Sequence, residues 1–68
     1  MIATIHALAA ELRRVRIPVA TSDVITAVEA LLHIDLGDPA EVKASLAASI
    51  IKQADHRPTF DLLFTLFF

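Results

Sequence analysis

Residues 36–41 read LGDPAE, and this hexapeptide decides where one helix ends and the next begins. Gly37 is the only glycine in the chain and marks the turn. Asp38 is a preferred N-cap residue, Pro39 is favoured at a first helical position, and Glu41 stands where it can complete a capping box. The hexapeptide therefore predicts that a helix starts at residue 39.

Helical periodicity continues on both sides of this turn. Downstream, Val42, Leu46 and Ile50 recur every four residues, which predicts a helix over about residues 39–53. Upstream, Thr-Ser-Asp at residues 21–23 is a cluster of N-cap formers in front of apolar residues spaced by three and four. A second helix is therefore predicted over about residues 22–33.

The two ends of the chain show the same periodicity. An amphipathic helix is predicted from residue 2 to about residue 15, and it should stop before Pro18 because a residue that precedes proline disfavours helical geometry. Near the other end, Asp55 is able to cap a helix and Pro58 is tolerated in its first turn. No segment alternates as a strand does. The predicted fold is all-α, a small irregular bundle of four helices at about 2–15, 22–33, 39–53 and 56–67.

Composition limits the class of protein. A chain of 68 residues forms one domain, here residues 1–68, near the lower limit of independent stability, and without cysteine no disulfide can stabilise it. Hydrophobic residues make up 56% of the chain and charged residues 21%, which excludes disorder. The net charge of −2 supplies no field for nucleic acid or anionic lipid. The charge-poor stretches are too short to span a membrane and no secretory signal is visible, so we expect a cytoplasmic protein.

The last predicted helix carries more apolar surface than one core face needs. Beyond that face, Leu62, Leu66 and Phe68 occupy much of the remaining circumference. A small bundle cannot easily surround one of its own helices, so these three side chains are predicted to contact another subunit, another protein or a missing part of a longer chain. The alternative is that the terminal helix lies at the centre of the fold or frays.

Arg13, Arg14 and Arg16 form the only basic cluster, followed by a turn and a capped helix. One interpretation is a helix-turn-helix-like domain that binds nucleic acid through these arginines. We prefer the interpretation of a solvated helix end, because cations are stabilised near helix C-terminal carbonyls and the second helix carries Asp23 and Glu29 but no lysine or arginine.

Residues for catalysis or metal binding are sparse. The histidines, His6, His33 and His56, have no second ligand at helical metal-site spacing. There is no cysteine nucleophile or Gly-x-Ser-x-Gly turn, and a single glycine cannot build a phosphate-binding loop. We therefore expect no enzymatic activity, no metal and no cofactor.

Several segments together form a family-like pattern: a turn after the first helix, an alanine-rich helix, an acidic-x-Arg turn and a Phe-Asp-x-x-Phe-x-x-Phe helix. The residues that carry it are ELRRVRIPV at 11–19, Ser22, Asp23, Ala27, Leu31, IDLGD at 34–38, VKASLAA at 42–48, DHR at 55–57 and FDLLFTLFF at 60–68. This pattern resembles the N-terminal region of CoxE-like von Willebrand factor A domain proteins. The chain departs from the family pattern at Arg16, where the pattern has glycine.

The resemblance implies a larger bacterial protein, in which this helical region is followed by a linker and a von Willebrand A domain with an Asp-x-Ser-x-Ser metal site. None of that second domain lies in these residues. The resemblance also implies a MoxR-type AAA+ ATPase as partner, in a chaperone-like system that remodels or matures client enzymes. The expected role is adaptor binding by an N-terminal domain or fragment, with the rest of the protein, the ATPase, a client or a second copy as partner.

Overall fold

The computed structural model describes residues 1–68 and contains four α-helices and no strand. A short 3₁₀ turn, Leu31–His33, follows the second helix, and another, Ala54–His56, directly precedes the fourth. The all-α prediction and the four-helix prediction are both confirmed. The helices are α1 Ile2–Arg14, α2 Thr21–Ala30, α3 Pro39–Ile50 and α4 Arg57–Phe67.

Two predicted helix ends lie a few residues too far along the chain. α2 ends as an α-helix at Ala30, and the 3₁₀ turn carries it on to His33. α3 ends at Ile50 instead of residue 53, because Ile51 adopts an extended backbone with φ −91° and ψ 121°. In that conformation Ile51 packs against the core and redirects the chain towards α4.

The starts of α2 and α4 differ from the predicted caps. Ala20 holds the N-cap position of α2, and its N–H donates to the Asp23 carboxylate at 2.9 Å. Asp23 thus satisfies a free backbone donor from inside the first turn rather than from the N-cap. Asp55 lies within a 3₁₀ turn and makes no cap, since His56 occupies the N-cap position of α4.

The start of α3 agrees with the prediction in part. The Asp38 carboxylate accepts a hydrogen bond from the Ala40 N–H at 3.0 Å, and Pro39 occupies the first helical position. Glu41 does not complete a capping box, because the Asp38 N–H already donates to the Asp35 carbonyl at 3.1 Å. The single side-chain cap of this helix is therefore Asp38.

The four helices form a closed ring in which each packs against two others. α1 contacts α2 and α4, and α3 contacts the same two helices. Asp23 at the start of α2 pairs with Lys52 just beyond α3, so these helices run antiparallel. Met1 and Phe68 line one cavity, which places the start of α1 beside the end of α4. Sixteen buried apolar residues fill the centre, and none of the buried residues is polar.

None of the helices combines the length and the apolar character needed to cross a membrane.

Candidate functional site

The outer face of α4 carries two exposed leucines. Leu62 is 64% exposed and Leu66 is 73% exposed. Residues four apart on a helix lie on adjacent turns of one face, so the two leucines form one apolar patch. The opposite side of α4 buries Phe60 and Leu63 against the core. α4 therefore lies at the surface of the bundle, and the Leu62–Leu66 patch has no partner within the domain.

Phe68 does not belong to that patch. An α-helix advances by about 100° per residue, so Phe68 points about 120° away from Leu62. Its ring stacks on Phe64 with centroids 4.5 Å apart and an angle of 7° between the ring planes. It is 44% exposed and lines a cavity at the end of the bundle. The structure thus separates one of the three predicted contact residues from the other two.

The three arginines lie around a shallow pocket at the end of α1, together with Ile17 and Pro18. Arg13 Nε donates to the Val19 carbonyl at 2.8 Å, which ties the helix to the connection that follows it. All three arginines are exposed, but the Arg13 guanidinium is already hydrogen-bonded to the backbone of the domain.

Arg14 is engaged as well. It donates to Glu11 at 2.8 Å one turn earlier, and this hydrogen bond holds the pKa of the Glu11 carboxyl below its ordinary value. Arg16 has no side-chain partner, and its backbone adopts a φ of 69°. The basic cluster is therefore one free guanidinium beside two that bond within the domain.

The three histidines belong to different elements: His6 to α1, His33 to the 3₁₀ turn after α2 and His56 to the 3₁₀ turn before α4. His6 and His33 are exposed, and His56 is half-buried at the start of α4. No cluster of three or more His, Cys, Asp or Glu side chains in the chain could hold a metal ion. Four ion pairs involve the other charged groups, and two of them join different elements.

Two of these ion pairs tie helices together. Asp23 accepts from Lys52 and from the Ala20 N–H, and both bonds hold its pKa below the ordinary value. Asp61 accepts from Arg57 Nε at 2.8 Å, with Lys43 Nζ 3.6 Å away, and the pKa of this carboxyl is also lowered. These contacts give Asp23 and Asp61 structural roles.

An apolar groove between α1 and α2 was not predicted from the sequence. Its volume is about 130 Å³, and every side chain that lines it is hydrophobic. Periodicity could not reveal it, because the groove forms only when the start of α1 meets the end of α2. The sequence placed Leu32 on the three-and-four apolar pattern of the second helix, but in the structure it is 78% exposed. The groove is lined by Met1, Ile2, Ile5, Val28, Leu31, Leu32 and Leu36.

Fold and surface together define a small helical-bundle domain with an apolar core, exposed apolar patches and no metal cluster. The chain belongs to the family of the CoxE N-terminal helical bundle domain, whose model matches residues 5–68. This match confirms the resemblance found in the sequence. Comparison with curated proteins gave no match, and neither did comparison with solved structures.

Proposed function

We propose that this domain is a non-catalytic protein-interaction module of a CoxE-like von Willebrand factor A protein. In this role it docks a partner of a MoxR-type AAA+ system that remodels or matures client proteins in the cytoplasm. The family match supports the assignment to a CoxE-like protein, since the matched domain is the N-terminal helical bundle of CoxE. The binding role rests on the surface of the domain itself.

The observation that carries the proposal is the exposure of Leu62 and Leu66 on an otherwise well-packed bundle. The core is complete without them, because the other side of α4 already buries Phe60, Leu63 and Phe64. Burying an exposed leucine contributes roughly 1.5–3 kcal/mol. Two adjacent leucines therefore supply an anchor for a protein contact while adding nothing to the core.

Nucleic-acid binding through the arginine cluster is the weaker candidate. Of the three guanidinium groups, Arg13 bonds to the Val19 carbonyl and Arg14 to Glu11. The Glu11 carboxylate already neutralises the charge of Arg14. Two cations remain without a carboxylate partner at this end of α1: Arg13, which is held to the Val19 carbonyl through Nε alone, and Arg16. Binding through phosphates needs several such cations and gives an affinity that falls steeply with salt.

The test is a binding measurement between the domain and purified candidate partners. A von Willebrand A domain of a CoxE-like protein and a MoxR-type ATPase are titrated by calorimetry against wild type and against Leu62→Asp with Leu66→Asp. We expect the double variant to lose at least about tenfold in affinity, which is about 1.4 kcal/mol. Ile25→Asp is the matched control, because Ile25 is exposed on a different helix, α2.

Two results would contradict the proposal. A double variant that binds its partner as tightly as wild type removes the Leu62–Leu66 patch from the interface. The second result concerns the kind of partner and is measured by light scattering across a dilution series. A wild-type dimer that becomes a monomer in the double variant means that the patch pairs with a second copy, and the domain is then a homotypic scaffold.

A further inference from the structure

The apolar groove between α1 and α2 is open to solvent. Its walls include Leu32, which is 78% exposed, and Leu36, which is 53% exposed, with Met1 and Ile2 also exposed on the other side. The volume of about 130 Å³ is close to that of an engineered cavity of about 150 Å³ that takes up benzene. The groove therefore has room for one leucine-sized side chain from outside.

A second apolar depression continues the groove across the same end of the bundle. It shares Met1 and Leu36 with the first and has a volume of about 180 Å³. Its other walls come from the start of α3 and the end of α4, including Phe68. Two neighbouring depressions suit two apolar side chains that project from one face of a helix at a spacing of three or four residues.

The charges next to the groove are acidic. Residues 17–42 contain five aspartate and glutamate residues and no lysine or arginine. Glu29 stands one turn before Leu32 on the same side of α2, and Asp35 directly precedes Leu36. Both acids are exposed and neither pairs with a cation. No lysine or arginine lines the first depression.

One lysine lies near the second depression. Lys43 borders the far side of the Phe64 ring, with Nζ 5.8 Å from its centroid. The Lys43 Nζ already pairs with the Asp61 carboxylate, 3.6 Å away. The acidic character of the groove therefore comes from Glu29 and Asp35, and this lysine does not offset it.

We propose that the groove binds an amphipathic helix whose apolar anchors are flanked by lysine or arginine. The anchors fill the two depressions, and the flanking cations face Glu29 and Asp35, since complementary charge guides association and selects among partners. A helix of about 14 residues is about 21 Å long and can carry two anchors on adjacent turns with cations on both sides of them. This inference rests on the proposed interaction function and assigns a second surface to it.

A second copy of the chain fits this surface less well. A symmetric contact of groove on groove would place Glu29 and Asp35 of one copy near the same acids of the other. Like charges that meet across an interface oppose association. The charge pattern therefore favours a basic partner over self-pairing.

The experiment titrates designed peptides against the full 68-residue chain by fluorescence anisotropy. The basic probe is a labelled helical peptide of about 14 residues, with leucines spaced by three and four and with lysine and arginine at the flanking positions. An acidic probe keeps the leucines and carries glutamate instead, and a polar probe replaces the leucines by serine. We expect the basic probe to bind at least about tenfold more tightly than either of the others.

Variants then locate the site. Leu32→Ser with Leu36→Ser should abolish binding, and because both side chains are exposed the helical circular dichroism spectrum should not change. Glu29→Lys should weaken binding by about fivefold or more. Asp55→Lys, at the opposite end of the bundle, is the matched charge control and should bind as wild type does.

Four results would contradict the groove proposal. Equal binding of the acidic and basic probes removes the charge argument, and binding that survives Leu32→Ser with Leu36→Ser places the peptide elsewhere. Self-association that is lost in that variant makes a second copy the occupant. No binding of the basic probe, in a domain that still binds its partner through Leu62 and Leu66, overturns the groove proposal and leaves the proposed function standing.

Discussion

The Ile17 N–H donates a hydrogen bond to the Leu12 carbonyl at 2.9 Å, across the end of α1. The Arg16 N–H donates to the Arg13 carbonyl at 3.0 Å, inside the first bond. These two bonds define a Schellman motif, with Val15 as C-cap and Arg16 as the following residue in the left-handed region, at a φ of 69°. Leu12 and Ile17 are both buried, in keeping with the apolar contact that frequently accompanies this motif.

Replacing Arg16 by glycine should stabilise the domain. A left-handed backbone costs a residue with a Cβ about 1–2 kcal/mol, whereas glycine adopts it freely but loses about 0.5–1 kcal/mol of chain entropy on folding. We expect Arg16→Gly to raise the free energy of unfolding by roughly 0.5–1 kcal/mol. Urea denaturation followed by circular dichroism measures this difference.

The control for this change is Arg16→Ala, which removes the guanidinium but keeps the Cβ. Its free energy of unfolding should stay within about 0.5 kcal/mol of wild type, because the Arg16 side chain has no partner in the domain. If Arg16→Gly were less stable than Arg16→Ala, the left-handed conformation at this residue would be contradicted.

Removing the α3 cap should destabilise the domain. Asp38→Ala deletes the acceptor of the Ala40 N–H, and the expected loss is about 1 kcal/mol. Asp38→Asn keeps an oxygen acceptor and should recover most of that loss, while Glu41→Ala should cost less than Asp38→Ala because Glu41 caps nothing. Equal losses for Asp38→Ala and Glu41→Ala in thermal unfolding would restore the capping-box interpretation.

Local chemistry made the fold predictable. Four segments with helical periodicity and a turn at residues 36–41 carry their own signals within a few residues, so their existence and order could be read from the sequence. The cap at Asp38 was predicted for the same reason. Glu41 was assigned wrongly because the Asp38 N–H bonds to Asp35 instead, and several local acceptors compete for such a donor.

The candidate surfaces depend on how distant segments meet, and there the sequence was less informative. The exposure of Leu62 and Leu66 followed from counting apolar positions on one helix. The position of Phe68 did not, because its ring lies against Phe64 in a cavity to which Met1 also contributes. The α1–α2 groove was missed because its walls come from residues 1–5 and 28–36, and periodicity within one segment carries no information about that pairing.

Stability should fall in acid through Asp23. Its folded-state pKa lies below the ordinary value, first because of the Lys52 hydrogen bond and then because of the Ala20 N–H. A lowered folded pKa contributes stability at pH values above the unfolded pKa, about 3.9, and that contribution is lost as the pH falls through the folded pKa. We expect the urea concentration at the unfolding midpoint to decrease once the pH falls below about 4, because Asp23 then begins to bind a proton in the unfolded chain.

Two variants isolate this effect. Asp23→Asn should lower the midpoint at neutral pH and flatten its dependence on pH below about 4. Lys52→Gln removes the largest cause of the shift, so the pKa of Asp23, followed by carboxyl NMR, should move back towards its ordinary value. An Asp23 carboxyl that titrates at the same pH in wild type and in Lys52→Gln would exclude the Lys52 bond as the cause.

Truncating a side chain on the inner face of α4 should cost much more stability than truncating one on its outer face. Phe60 is fully buried, with its ring centroid 6.1 Å from that of Phe64, so Phe60→Ala removes core contacts and leaves a cavity. The expected cost is about 3–5 kcal/mol, a large fraction of the stability of so small a domain. Leu62→Ala, on the outer face, should stay within about 0.5 kcal/mol of wild type. Urea unfolding of both variants measures the contrast, and a Leu62→Ala loss comparable with that of Phe60→Ala would mean that the outer face of α4 is packed within the domain and is not available to a partner.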